Sequence, residues 1–210
     1  MISNPTKGVP PYWADAKRHL VAVDPIMASI ISEYEEPPLH SNGRPFETLV
    51  HSIVGQQISA KAAAAIWTRL INLVGEMTPS RVAKQPYDDL KNIGLSGRKV
   101  EYILGLATQA AWVADYDWST TTDDGVRKKL CALRGVGPWT AEMVLIFSLL
   151  RPDILPLGDI GVVRAVERLY ADGERLNHDQ ILSIAAPWAP YRTVASWYLW
   201  RCIDAEPVEY

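Results

Sequence analysis

The 210-residue sequence predicts an all-α protein, on three observations. Apolar residues recur at helical spacing through nearly every segment, and no run of four to eight residues alternates as a half-buried strand would. Gly, Pro, Ser and Thr also fall where helices should begin and end. A chain of this length can bury one good core, or two small lobes sharing a groove, without disulfide or metal staples.

The elements follow in order. Residues 14 to 35 carry Leu20, Val21, Ile26, Ile30 and Ile31 at the spacing of one or two amphipathic helices, which the loop EEPPLHSNGRP ends. Phe46, Leu49, Val50, Ile53 and Val54 then form a second helical stripe, expected to end near Ile58. Ser59 is the expected N-cap of KAAAAIWTRLINLVG, whose Ala62 to Ala65 suit close helix packing. Thr78 with Pro79 and Gln85 with Pro86 open two short helices, and Gly94 and Gly97 bracket a tight turn before RKVEYILGLATQAA.

Composition excludes several classes. Cys131 and Cys202 are far apart, so neither a disulfide framework nor a Cys-rich metal or iron-sulfur site is expected. The N-terminal stretch lacks the apolar core of a signal peptide, and the longest apolar run, MVLIFSLL at 143 to 150, is too short to span a bilayer. The expectation is a cytoplasmic protein with no membrane role. The net charge of −3, from 21 Lys plus Arg against 24 acidic residues, argues against a protein that holds nucleic acid by charge alone. Recognition through helix N-termini and a local cationic patch is compatible with it.

The most informative stretch is VRKKLCALRGVGPWTAEMVLIFSLL, residues 126 to 150. Leu130 and Leu133 end one amphipathic helix, Gly135 and Gly137 make a turn in which positive φ is allowed, and Pro138 opens an apolar helix. Such a helix, hairpin, helix can hold a phosphate on bare backbone and first-turn amides, without sequence preference. On its own the GxGPxT string also fits an ordinary αα corner. Some twenty residues on, ILPLGDIGVVRAVERLY places Asp159 at the mouth of a further amphipathic helix. Taken without its neighbours, Asp159 is an N-cap; the helix dipole favours negative charge there, so capping and a chemical role are compatible.

LRGVGPWTAEMVL followed by LPLGDIGVVRAV resembles the helix-hairpin-helix, Gly/Pro-rich, Asp (HhH-GPD) superfamily of DNA glycosylases, and IVGQQISAKAA at 53 to 63 is similar to a third stretch of it. The likeness spans about residues 45 to 202 and is greatest to the alkylpurine branch, of DNA-3-methyladenine glycosylase II type. It implies two helical lobes flanking a DNA-binding and active-site cleft, with residues 45 to 125 as one lobe and 126 to 210 as the hairpin and catalytic lobe. Residues 1 to 44 would pack back onto the latter, completing a single module over 1 to 210.

The resemblance implies a monofunctional enzyme of base excision repair that flips out 3-methyladenine and 7-methylguanine and hydrolyses the N-glycosidic bond. Bifunctional relatives carry a lysine where this chain has Trp139, and branches with an iron-sulfur cluster need four clustered cysteines. Asp159 would be the catalytic carboxylate, stabilising the sugar cation and orienting or deprotonating water. Gly158 departs from relatives with a second Asp there. Trp139, Met143 and Trp200 would line the base pocket, their indoles favouring a cationic base, while Trp112, Trp118, Trp188 and Trp197 are expected in the core.

Gly135, Val136, Gly137 and Thr140 would meet the DNA phosphate. The wedge that fills the vacated stack would come from the turn 94 to 100, with Leu95, Ser96 and Gly97 as candidates and Arg98 or Lys99 near the DNA backbone. Gln56 and Gln57 would meet the orphaned base or the minor groove. No cofactor is required, with a monovalent cation at the hairpin backbone as the one addition considered. The partner is double-stranded DNA with alkylated bases, bound by a monomer that is nucleoid-associated if bacterial. A glycosylase of another base specificity and a non-enzymatic helix-hairpin-helix module are the alternatives.

Overall fold

The computed structural model describes residues 7–34 and 37–203, and every regular element in them is helical. An isolated bridge joins Gly8 to Ser41 through reciprocal 2.9 Å backbone bonds. The helices are α1 (Trp13–Val23), α2 (Pro25–Glu33), α3 (Pro45–Gly55), α4 (Ala60–Val74), α5 (Pro79–Val82), α6 (Tyr87–Asn92), α7 (Gly97–Gln109), α8 (Asp123–Cys131), α9 (Pro138–Phe147), α10 (Ile160–Tyr170), α11 (His178–Ala185) and α12 (Arg192–Ile203).

Local chemistry sets these boundaries. Ser59, Ser96 and Thr122 cap α4, α7 and α8 by accepting from the amides of Ala62, Lys99 and Gly125, and Asn177 forms a capping box with Gln180 at α11. Proline occupies the first helical position of α2, α3, α5 and α9, where no backbone donor is lost.

The centre of the molecule is α9, with α3 along one side and α8 along another. Met143, Val144, Leu145, Ile146 and Phe147 are all buried, so α9 is held by packing all round rather than by one amphipathic face. Each such side chain contributes about 1.5–3 kcal/mol of burial; Val144→Asp would leave an unpaired charge there. The stripe of α3 is buried in full, and α4 and α7 close over it.

On the other side α10 pairs with α12, and α1 and α2 pack on α12. Asp24 fastens this side. One carboxylate oxygen caps α2 at the amides of Ile26 and Met27, and the other accepts from Trp188 Nε1 (2.7 Å) and Tyr170 Oη (2.8 Å). Arg151 fastens the opposite edge, donating to the carbonyls of Trp118 and Thr121 at 2.8 and 2.9 Å beside Asp123.

Several expectations need correction. The helix expected to end near Ile58 stops at Gly55. Ala62, Ala64 and Ala65 face solvent, and Ala63 lies against α3 at Gly55. Val21 is exposed, since α1 packs through Ala16 and Leu20 instead. Trp118, Trp188 and Trp197 are buried as expected, but Trp112 is 38% exposed: it sits in a surface 3-10 turn, packed on one side by Tyr116 and Trp118. The first hairpin helix begins at Asp123, so a boundary at 125/126 cuts through it. The expected helix end at Glu35 lies outside the described residues.

Candidate active site

Asp159 sits at the N-terminus of α10, positioned by the turn Pro156 to Gly158 through a 2.9 Å bond from its amide to the Pro156 carbonyl. Its Oδ1 accepts from the Val162 amide at 3.0 Å, the capping bond the sequence predicts. Two further donors arrive from elsewhere in the chain. Trp200 of α12 donates Nε1–H to Oδ1 at 2.9 Å, and Trp139 of α9 donates Nε1–H to Oδ2 at 2.7 Å. Asp159 and Trp139 are half-buried, and Ile160 beside them is 63% exposed, so the carboxylate opens toward solvent along one edge. A recess of about 470 Å³ lies elsewhere, among Pro25, Ile30, Tyr34 and Arg168.

This arrangement changes the roles expected of the aromatics. Trp200 is buried, its ring stacked on Phe147 with centroids 5.5 Å apart, so its N–H orients Asp159 while that stack covers one face. Gly161 makes this approach possible, because a Cβ there would lie 3.0 Å from Asp159 Oδ1 and 3.2 Å from the Trp200 ring. Met143 is only 1% exposed, so it presents no open wall to a ligand here. A Cβ at Gly158 would make only ordinary contact with Trp139, so a side chain has room there.

Glu142, one turn beyond Trp139, is a neighbour that sequence reasoning missed. Burial and the charge of Asp159 push its carboxyl above the ordinary range, and Arg127, with Nε 3.6 Å from Oε1, opposes this. Its spacing of three residues from Trp139 on the same helix was the available signal.

The hairpin adjoins this centre. Gly135 has φ +89, and a Cβ there would fall 2.4 Å from the Tyr102 ring of α7, so glycine is required twice over. Gly137 is different: its φ of −100 is ordinary and nothing lies within 4 Å of a Cβ built on it, so of the two glycines only Gly135 uses the positive φ that both allow. That backbone is open to an approaching group. Ala141 is the residue whose amide bonds back to Gly137, leaving the amides of the first turn to point outward, as at any helix start. Val136 turns its side chain inward at 7% exposure.

Three expected DNA contacts are committed to the protein itself. Gln56 Nε2 donates to the Gly135 carbonyl and to Thr140 Oγ1, both at 3.0 Å, clamping the end of α3 to the hairpin. Thr140 is correspondingly buried. Lys99 donates to the Val54 carbonyl at 2.7 Å, at the last turn of α3. Leu95 is 3% exposed: an apolar side chain in a polar turn finds the core, so it is not available as a wedge. Ser96 and Arg98 are exposed, with Ser96 occupied as the N-cap of α7. The Tyr87 hydroxyl lies 2.7 Å from where a Gly97 Cβ would stand, so this aromatic occupies the space above the glycine. Gln57 is exposed with φ +58, a strained conformation for a side chain that makes the link to α4.

Among the described residues no group of three or more His, Cys, Asp or Glu could hold a metal ion, and no helix is long and apolar enough to cross a membrane. What the site offers is a carboxylate fixed by three N–H donors beside a half-open indole, next to a backbone hairpin suited to a phosphate.

Comparison with known proteins agrees with the all-helical fold. The chain is 30% identical over 188 residues to the putative DNA-3-methyladenine glycosylase YfjP of Bacillus subtilis, covering 85% of this chain and 66% of that protein. Among solved structures it superposes on the Schizosaccharomyces pombe 3-methyladenine DNA glycosylase in complex with abasic DNA, with TM-score 0.80 and 26% identity over 89% of this chain and 95% of the other. A DNA-3-methyladenine glycosidase from Bacillus halodurans gives TM-score 0.71 and 36% identity over 89% of this chain and 88% of its own. The profile of the HhH-GPD superfamily of base excision DNA repair proteins matches residues 50–190, and the chain belongs to that family.

Proposed function

We propose that this chain is a monofunctional DNA glycosylase that flips alkylated purines out of duplex DNA and hydrolyses their N-glycosidic bond. The observation that carries it is the convergence on Asp159 of the Val162 amide and the Trp139 and Trp200 indole N–H groups. Breaking the glycosidic bond builds positive charge on the sugar, and a carboxylate already locked in place stabilises that charge without reorganising. The same carboxylate can orient or accept a proton from the attacking water. Trp139 stands where a strand-cutting relative would need an amine, so no Schiff base can form at that position.

The charge of the base supports the proposed substrate class. A purine alkylated at a ring nitrogen is cationic, is attracted by an indole face, and departs as a neutral base without an acid. Both 3-methyladenine and 7-methylguanine meet these conditions. The protein acts as a monomer, with the hairpin backbone on one phosphate and Asp159 at the extruded nucleotide.

The test is base release from duplex DNA treated with a methylating agent. Released 3-methyladenine and 7-methylguanine, abasic strands that break only after alkali, and no borohydride-trapped complex are expected. Strand nicking at the rate of base release would overturn the monofunctional assignment. Absence of base release alongside tight DNA binding would favour a non-enzymatic module. Hypoxanthine, neutral and in need of a proton, should leave far more slowly; if it did not, Glu142 would be the donor to replace.

A further inference from the structure

Arg134 immediately precedes Gly135 in the hairpin, and its surroundings are unusually well defined for an exposed side chain. Its side chain is 74% exposed and its Nη2 lies 2.9 Å from Oε2 of Glu101, itself half exposed on α7. The guanidinium also lies over the Tyr102 ring, 5.6 Å from its centroid. Tyr102 is the side chain packed against Gly135, so one ring both supports the hairpin turn and holds Arg134 beside it. The cation is thereby held on the ring that packs against Gly135, and Arg134 stands three residues before the open backbone at Gly137.

We propose that Arg134 grips a DNA phosphate next to the hairpin, and that Glu101 occupies it in the unbound protein as an internal substitute for that phosphate. The inference rests on the proposed function, which makes the hairpin the DNA-facing surface. A carboxylate and a phosphate present similar oxygen pairs to the planar guanidinium fork, so either can satisfy it. The exposed Arg134–Glu101 pair contributes little stability and is easily exchanged, whereas stacking on Tyr102 persists during the exchange and limits the entropy lost. The chain carries a net charge of −3, so its affinity for DNA depends on cations placed locally, and Arg134 is one held in advance. Glu101 weakens DNA binding until phosphate displaces it.

The experiment measures binding of the full chain to a lesion-analogue duplex and to an undamaged duplex, by fluorescence anisotropy between 50 and 200 mM salt. Arg134→Ala should weaken both complexes by about fivefold to tenfold and make the salt slope shallower by about 0.9. Glu101→Gln should tighten both a few-fold at low salt in the wild-type background and leave affinity unchanged in the Arg134→Ala background. Unchanged thermal melting of each variant checks that the fold is retained. Wild-type affinity and slope in Arg134→Ala would overturn the proposal, as would equal tightening by Glu101→Gln with and without Arg134, which would mark a bulk charge effect. These outcomes leave the glycosylase assignment standing. A wild-type chain that binds neither duplex would overturn both.

Discussion

Asp159 and Asp24 carry nearly the same local chemistry and have different prospects. Each caps a helix and each accepts from an indole N–H, but Asp24 is 8% exposed among Trp188 and Tyr170, whereas Asp159 is half-buried beside an exposed Ile160 and the hairpin helix. Exposure, not the capping motif, separates the two, and it is why Asp159 is the carboxylate proposed to react. Asp159→Asn should lower kcat for 3-methyladenine release on the order of 100-fold or more while lesion binding changes little. Single-turnover kinetics with a parallel binding titration would check this, and near wild-type turnover would remove Asp159 from the chemistry. Trp139→Phe keeps a ring and loses the donor to Oδ2, so kcat should fall by about tenfold with a smaller change in KM, as expected for one charge-assisted hydrogen bond.

At the scale of the element, the hairpin joins two requirements that its two glycines divide between them. Gly135 is required by the fold, through its positive φ and the Tyr102 ring; Gly137 is required by nothing inside the protein. Gly135→Ala should therefore destabilise by about 1–3 kcal/mol, read as a lowered urea midpoint. Gly137→Asp should fold with a near wild-type midpoint yet lose affinity for lesion and undamaged duplex alike, because a negative side chain would stand where a phosphate must approach. A well-folded Gly137→Asp protein that bound both duplexes normally would show that the hairpin is not the phosphate site. The clamp from Gln56 to the Gly135 carbonyl and Thr140 ties the turn to the end of α3.

Over the whole molecule, stability should depend on pH through His51. Burial against Trp67, with ring centroids 4.3 Å apart, pushes its imidazole down from 6.5 to about 4. The unfolded chain then binds more protons than the folded one between these values, so the contribution is intact above pH 6.5 and is lost as pH falls toward 4. The loss is at most about 3 kcal/mol. Urea midpoints across this range should fall less steeply for His51→Gln than for the wild type, and parallel profiles would assign the acid limb to other groups. Asp24 bears on stability in another way, since it ties α2 to Tyr170 of α10 and to Trp188. Asp24→Ala should cost about 2–4 kcal/mol by stranding buried donors, seen as a lowered Tm.

The helices and the path to the site were legible in the sequence. Ser59, Pro138 and Asp159 start helices through bonds and φ values set within three residues of themselves, and the string from Arg134 to Asp159 carries its motif in consecutive positions. The alignment of Asp159 was not legible, because its two indole donors come from positions 20 and 41 residues away on different helices. The same holds for Leu95 and Met143, drawn into the core, for Lys99 and Gln56, committed to backbone carbonyls, and for Trp112, left at the surface. Sequence by itself determined the all-helical class, most element starts and the residue types available for chemistry, since helix formation and capping are governed by near neighbours. Tertiary structure alone decided which of those residues face solvent and which donors meet which acceptors, because burial and hydrogen-bond partners depend on contacts between segments that the chain brings together only when it packs.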